Sequence, residues 1–535
     1  MTTAACSEPA SFPRTERLRF LLLNCALLLG NLLVLFNTGA FASISLHATG
    51  ALGVSPSHAV WIQSYYFVSL ALSLPLQPWL SARAGVARLY LSALLLMAFG
   101  SLLCALTDDF GWFIAGRIAQ GFFGGLTLPL SQLLFLCLYP ASRQSIAVGI
   151  WSMAALSPFT LGPAVGGWMA DHWGWRSLFS LNVPLTLLAA ALAWALLPKM
   201  PSSPLRRRLD FVGFALLALA LACLQSVLNQ GEDEDWYNSQ PMVLLTLTGV
   251  VALLLFGVWE LGERYPLLDL RLFRRRNFVI GTLCLSVGFM LMYGLLSVLL
   301  VRLQTVAGYT SFLAGASLLP LLFLTKPMAN FYHRLVHRFD ARLLASVNLF
   351  AFFLYSYWTS TYDFFQRGGW FSEMLLSQIL EGFCLGGFFV PLTTLLTAGL
   401  TPRRQLDAVQ LAGMLRVLGG SIGSPLLSVI WDRRAAFQQN HLIETFSVYD
   451  ALHPELMAGL QSAGIEPAVA LIKLAQQANR HAAIIGLDDT FRLAAWLYLG
   501  LAALVWLARP LRPHEPRSEK AGVRETVLED LIEEP

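Results

Sequence analysis

The chain alternates long apolar runs with short polar breaks. Fourteen runs have about the length, some 20 residues, that an α-helix needs to cross roughly 30 Å of hydrocarbon. They fall near 18–42, 59–80, 88–107, 112–138, 145–169, 178–198, 211–229, 241–261, 278–301, 311–331, 343–358, 372–400, 408–430 and 491–508. The pattern predicts an all-α integral membrane protein with 14 transmembrane helices. The first run follows a short basic tail (Arg14, Arg17, Arg19) and is too long for a signal-peptide core, so it reads as an uncleaved first helix.

The breaks differ in charge, and the difference alternates. An even number of spans puts both chain ends on one side, and lysine and arginine choose that side. The even-numbered short breaks hold Arg83 and Arg88; Arg143; Lys199, Arg206, Arg207 and Arg208; Arg264, Arg271, Arg274, Arg275 and Arg276; Arg334, Arg338 and Arg342; Arg403 and Arg404. The odd short breaks are nearly bare of cations, with Arg176, Arg302 and Arg367 the clear cases, and the break after the seventh run is acidic (Glu232, Asp233, Glu234, Asp235). Both termini are therefore expected in the cytoplasm. One break is long: residues 431–490 are expected outside, with helical amphipathic spacing in Pro454–Gly464 and Pro467–Ile485, where Leu471, Leu474 and Ala478 oppose Lys473, Gln476 and Arg480. Such a loop either serves a partner or covers the mouth of the membrane domain as a tethered helix pair. The tail, 509–535, is charged and expected to be disordered.

Composition sharpens this picture. Hydrophobic residues make up 56% of the 535 and charged residues 13%, against about 25% charged in a soluble domain. Mean hydropathy is +0.61 over the whole chain, so no large soluble domain dilutes it. Of seven cysteines, Cys25, Cys104, Cys137, Cys223, Cys284 and Cys384 lie in apolar runs and Cys6 in the N-terminal tail, which suggests no disulfide framework. No Cys/His spacing suggests a metal site. The nine histidines lie mostly in breaks with no catalytic constellation, and no phosphate-binding loop is present. Residues 419–423 match G-x-S-x-G, but a nucleophile elbow needs a strand-to-helix turn and these five sit within an apolar helix. An enzyme is not expected, nor is a nucleic-acid partner.

Charges inside the runs are the candidates for chemistry. Arg117, Lys326, Glu381 and Arg416 each cost at least about 2.5–3.5 kcal/mol at mid-bilayer, so each must face protein or water. They are functional groups or partners in structural ion pairs, Glu381 with Arg416 or Lys326 being the pairing to test. A buried carboxyl can take up a proton on one side of the membrane and release it on the other, which makes Glu381 the leading coupling residue and Asp407 a second. Small residues four apart, Gly121/Gly125, Gly162/Gly166, Gly382/Gly386 and Gly419/Gly423, allow close helix approach.

Several of these residues carry a family resemblance. Arg117-Ile-Ala-Gln120-Gly121 resembles the R-x-x-Q-G motif of the fourth span in major facilitator transporters. Gly162-Pro163-Ala-Val-Gly166-Gly167 resembles the G-P-x-x-G-G antiporter motif of drug/proton exporters. Pro266–Phe278 resembles the loop before span nine in the fourteen-helix drug:proton antiporter branch, and Pro391–Thr394, Gly420–Gly423 and the long loop before the last run resemble its EmrB-type subgroup. The likeness runs from about residue 18 to 508. It implies a major facilitator fold of two six-helix bundles plus two inserted helices: 1–17 a cytoplasmic N-tail, 18–200 the N-terminal bundle, 201–270 a linker with helices seven and eight, 271–508 the C-terminal bundle containing loop 431–490, and 509–535 a cytoplasmic C-tail. It implies alternating access around a midplane cavity, a bacterial inner membrane, no cofactor, a proton gradient as energy source, and in Gram-negative relatives a periplasmic adaptor and an outer-membrane channel.

Two departures stand out. Asn37 occupies the place where the branch usually carries an aspartate in span one, and an asparagine cannot exchange a proton. The loop after span two keeps Arg83, Gly85 and Arg88 of its conformational motif but lacks the first glycine and the aspartate. The expected function is export of amphipathic or apolar small molecules by proton antiport. The expected cavity is lined by Asn37, Gln63, Ser64, Tyr65, Trp151 and Met153 from the N-half and Met290, Met292 and Tyr293 from the C-half. The rivals are a narrow exporter of an aromatic acid, fatty acid or siderophore, and a carrier-fold binding or scaffold protein without proton coupling.

Overall fold

The computed structural model describes residues 14–140, 143–197, 209–362, 370–445, 458–459, 462 and 467–510. Among them the chain is all-helical. The helices are α1 (Arg14–Ala51), α2 (His58–Ala84), α3 (Val86–Leu106), α4 (Phe110–Cys137), α5 (Gln144–Trp173), α6 (Ser177–Leu196), α7 (Phe211–Gln230), α8 (Gln240–Gly262), α9 (Arg276–Thr305), α10 (Ser311–Ala316), α11 (Leu321–Leu335), α12 (Ala341–Thr359), α13 (Trp370–Thr397), α14 (Pro402–Thr445) and α15 (Pro467–Leu504). The short α10 and α11 form one rod interrupted by a turn, so fourteen rods result among the described residues, and twelve of these are long and apolar enough to cross a membrane. The tenth run, which reads as one helix, is broken because Pro320 has no N–H to continue the ladder.

Local chemistry sets many of the ends. Asp109, Asp210 and Asp340 cap α4, α7 and α12, each accepting a hydrogen bond from a backbone N–H of the first turn, at 2.9 Å in all three. Gly85 joins α2 to α3 at φ 84° and ψ 144°, a region other residues avoid. This accounts for the one glycine retained in that loop.

α1 to α6 pack into one bundle, with α1 against α5 and α6, α2 against α4, and α3 against α4 and α6. α9 to α15 form a second, with α14 against α9 and α15, and α13 against α11 and α12. The glycine pairs lie at these crossings. Gly121 and Gly125 of α4 meet the α2 backbone, Gly162 and Gly166 of α5 meet α1, Gly382 and Gly386 of α13 meet α11, and Gly419 and Gly423 of α14 meet α9. α7 and α8 form a hairpin at the seam between the bundles. Ser64 and Tyr65 of α2 bond to Asn229 and Ser226 of α7 at 2.9 and 2.8 Å, and Gln225 of α7 donates to the Ser421 carbonyl of α14 at 3.2 Å. α8 stands outermost, with Leu244, Leu247, Leu254 and Val258 exposed, as a lipid-facing helix requires.

The segment 431–490, read from sequence as a loop, is helical at both ends. α14 continues to Thr445 and α15 begins at Pro467. The two extensions hold one another. Trp431 donates to the Ala483 carbonyl at 2.9 Å, Arg434 pairs with Asp489 at 2.6 Å, and Gly486 lets α15 close on Ala435. These turns are too polar to register as apolar runs. Most of the amphipathic stretch 454–464 and the tail from 511 lie outside the described residues.

Candidate functional site

Three groupings of polar residues lie inside the rods. The first surrounds Arg117 of α4, whose side chain is wholly buried. It donates to Gln120 Oε1 at 3.0 Å and to Gln63 Oε1 of α2 at 3.1 Å. Three rings enclose it: Phe41 and Tyr66 at 4.4 Å and Phe179 at 5.8 Å. Gln120 and Asn182 both donate to Ser101 Oγ at 2.7 Å, and Gln63 donates to the Thr38 carbonyl of α1 at 3.3 Å. The i, i+3 spacing of Arg117 and Gln120 puts both on one helix face. Neutral amide oxygens and aromatic faces, each cation–π contact worth about 0.5–2 kcal/mol, take the place of a carboxylate. Asn37 precedes Thr38 and is 1% exposed. Its amide donates to the Leu33 carbonyl at 2.9 Å, and its Oδ1 has no hydrogen-bond partner among the described residues.

The second grouping joins the bundles. Tyr293 of α9 is fully buried and reaches the Thr38 carbonyl at 3.5 Å. Its ring meets Phe67 of α2 edge-on at 4.7 Å and lies parallel to Phe289 at 6.3 Å. Arg416 of α14 sits against this aromatic wall, 5.4 Å from the Phe289 ring and 5.2 Å from Phe389 of α13. Its Nε is buried and has no hydrogen-bond partner among the described residues.

The third grouping is Glu381 of α13, 5% exposed, with Tyr355 of α12 and Gln378 beside its carboxyl. Its Oε2 has no hydrogen-bond partner among the described residues. The ion pairs there are Arg176–Asp108, Arg302–Asp432, Arg342–Asp340, Arg433–Glu232 and Arg434–Asp489. Arg117, Lys326, Glu381 and Arg416 enter none of them, so the alternative in which Glu381 is an ion-pair partner of Arg416 or Lys326 is not formed among the described residues. Glu381 instead faces the interior of the C-terminal bundle. Asp407 lies exposed in the second turn of α14.

The remaining expected site residues scatter. Tyr65 and Ser64 turn to α7, away from Arg117 and Arg416. Trp151 donates to Ser131 Oγ at 3.3 Å within the N-terminal bundle. Met290 and Met292 pack in the apolar core, and the Met153 side chain lies outside the described residues. Arg83 and Arg88 are exposed beside Gly85, with Arg83 5.6 Å from the Trp79 ring. Pro163 and Gly167 of α5 do meet a counterpart, the α10 segment of the other bundle. Residues Ser311 and Phe312 lie against Gly167, and Gly315 against Pro163 and Ala164.

That end of the molecule carries a seam not foreseen from sequence. Gln304 of α9 donates to the Ser43 carbonyl at 3.0 Å, and Ser311 bonds to Gln304 and to His47 of α1, both at 3.0 Å. The Phe312 N–H donates to Asp171 of α5 at 2.9 Å. Nearer the arginine-rich end, Gln410 of α14 donates to the Leu74 carbonyl of α2 at 2.7 Å. None of Ser43, His47, Gln304 and Ser311 stands out in an apolar helix sequence, and only the fold brings them together.

Comparison with known proteins agrees with this geometry. The description Major Facilitator Superfamily fits residues 27–424. The chain is 33% identical to Multidrug export protein EmrB of Haemophilus influenzae over 502 residues, covering 93% of this chain and 98% of that protein. It is 34% identical to Multidrug export protein EmrB of Escherichia coli K12, covering 86% and 90%. It is 32% identical to Fatty acid resistance protein FarB of Neisseria gonorrhoeae, again covering 86% and 90%. In fold it is similar to a bacterial homolog of the human lysosomal transporter Spinster in an inward-facing, unoccupied conformation, with a TM-score of 0.59, 16% identity and coverage of 93% and 99%. The chain therefore belongs to the Major Facilitator Superfamily, as a multi-pass secondary transporter related to multidrug and fatty-acid exporters.

Proposed function

We propose that the chain exports amphipathic, largely apolar small molecules in exchange for protons, from a bacterial inner membrane with both termini in the cytoplasm. The observation that carries the reading is Glu381. It is a carboxyl buried in a membrane-spanning bundle with no cation paired to it among the described residues. An acid so placed is cheapest to hold when neutral, and it can change protonation when the bundles rearrange and water reaches it. Asn37 cannot take that part, so coupling falls to the C-terminal bundle.

The packing supports alternating access. The bundles touch through α2 and α14, with Gln410 and Leu74 nearer the arginine-rich breaks, and through α5 and α10, and α1 and α9, at the opposite end, which the charge alternation assigns to the outside. Their central contact is an aromatic wall suited to apolar ligands of loose specificity. The relatives' names, multidrug export and fatty acid resistance, bring the substrate class to this chain. The paired extensions of α14 and α15 rise on the outer side and suit a periplasmic adaptor that leads to an outer-membrane channel.

The test is growth of a host stripped of its own exporters, across a panel of apolar drugs, aromatic acids and fatty acids, with the chain and with Glu381→Gln. Protection by the native chain that disappears in the variant, at equal membrane abundance, supports the reading. Equal protection by both removes Glu381 from coupling. Protection against one chemical class alone makes the chain a narrow exporter.

A further inference from the structure

Arg416 is a membrane-depth cation with nothing to neutralise it among the described residues. Its guanidinium enters no ion pair there, and its Nε is buried without a partner. It is half-buried, whereas Arg117 is sealed. The two differ in a second respect. Arg117 donates from both terminal nitrogens, to Gln120 and Gln63, and is enclosed by Phe41, Tyr66 and Phe179, so that only its Nε, like that of Arg416, has no partner among the described residues and no ligand can reach it without unfolding that nest. Arg416 has rings on two sides only, Phe289 of α9 and Phe389 of α13.

The surroundings continue as a buried aromatic strip. From Phe289 the aromatic wall runs through Tyr293 to Phe67, and so crosses from one bundle to the other. Gly420, one helical turn beyond Arg416 on α14, keeps the wall close. A Cβ there would lie 2.8 Å from the Phe289 ring and 3.8 Å from Phe67. A fixed cation thus stands at one end of an apolar aromatic strip that is buried in this structure and crosses the contact between the bundles.

We propose that Arg416 is the headgroup site of the translocation pathway, and that the ligands it selects are amphipathic organic anions. A carboxylate or phenolate would neutralise the guanidinium in a low-dielectric setting, where a fork of N–H donors suits a planar oxyanion. The apolar body of the ligand would lie along Phe289, Tyr293 and Phe67. Amphipathic cations are disfavoured by the same charge. The inference rests on the export reading for its pathway, but it is tested by binding alone, without any proton gradient.

The experiment uses the full chain in lipid nanodiscs and two probes of one shape, 2-naphthoate and its uncharged analogue 2-naphthamide. The native chain is expected to bind the naphthoate at least tenfold more tightly than the amide. Arg416→Gln is expected to abolish that preference and leave amide affinity within about twofold. Arg416→Lys, which keeps the charge and loses the fork, is expected to retain part of the preference. An equal loss for both probes in Arg416→Gln would make the residue a packing element and overturn the proposal. So would a preference that survives in Arg416→Gln, or its absence from the native chain. Proton coupling that survives in Glu381→Gln, with the anion preference of the native chain intact, would mark failure of the export reading and leave this one standing.

Discussion

The seam between Gly167 of α5 and the start of α10 offers the sharpest perturbation. A Cβ on Gly167 would meet the Ser311 carbonyl and lie 2.7 Å from the Phe312 nitrogen, and a Cβ on Gly315 would lie 2.6 Å from the Ala164 nitrogen. Both distances fall well inside van der Waals contact, and the atoms met are backbone, which cannot rotate aside. Gly167→Ala should therefore force the bundles apart here by some tenths of an ångström or more. Overpacking of this kind costs about 1–3 kcal/mol. The cost falls only on the state in which this end is shut, so the equilibrium should shift about 5- to 150-fold toward the state open at this end. Spin labels at Trp173 of α5 and Phe437 of α14, both exposed and one on each bundle, would read the separation in a background without Cys6 of the N-terminal tail and the exposed Cys25 and Cys137. A longer distance should gain population in Gly167→Ala and not in Gly257→Ala, whose Cβ meets nothing within 4 Å. Identical distance distributions in native chain and Gly167→Ala would refute the assignment of this contact as a closed gate.

Other consequences can be checked. Arg117→Lys cannot reach Gln63 and Gln120 together, so one buried amide oxygen loses its donor; the variant should lose about 1–3 kcal/mol, read as a lower thermal midpoint in detergent, and an unchanged midpoint would contradict the nest described for Arg117. Replacing 446–466 by a short flexible linker leaves the Trp431–Ala483 and Arg434–Asp489 contacts in place; if an adaptor docks through the segment that joins the two extensions, vesicle transport should persist while protection of cells is lost, and full protection of cells would argue against docking there.

Much of this molecule is written in its hydropathy. A span must be apolar to cross lipid, so the runs and their number read directly, and the charge of the breaks orders them. What hydropathy does not encode is which face of a run meets protein. Phe67, Phe289 and Phe389 at the bundle seam are no different in sequence from Leu244 or Val258 of α8, which face outward. Tyr65 and Gln63 are two residues apart on α2, yet one bonds to α7 and the other to Arg117. Arg117 with Gln120 was legible because three residues make nearly one helical turn, whereas Gln63, Ser101 and Asn182 come from other helices and leave no local signal. Glu381 and Arg416 read as natural ion-pair partners only because a sequence gives depth poorly and azimuth not at all. The extensions of α14 and α15 escaped for the opposite reason: they are stable helices whose partner is each other, not lipid.

Proton exchange is the claim on which the functional account stands, and luminal pH tests it most directly. Inside-out vesicles containing the chain, acidified within, would receive a drug, an aromatic acid or a fatty acid from outside, with lumen pH and uptake of the labelled compound followed together. The account predicts alkalinisation of the lumen that depends on substrate and vanishes in Glu381→Gln while downhill exchange of the compound remains. Saturable uptake with no change in luminal pH would contradict it, and would make the chain a carrier that moves its substrate without protons.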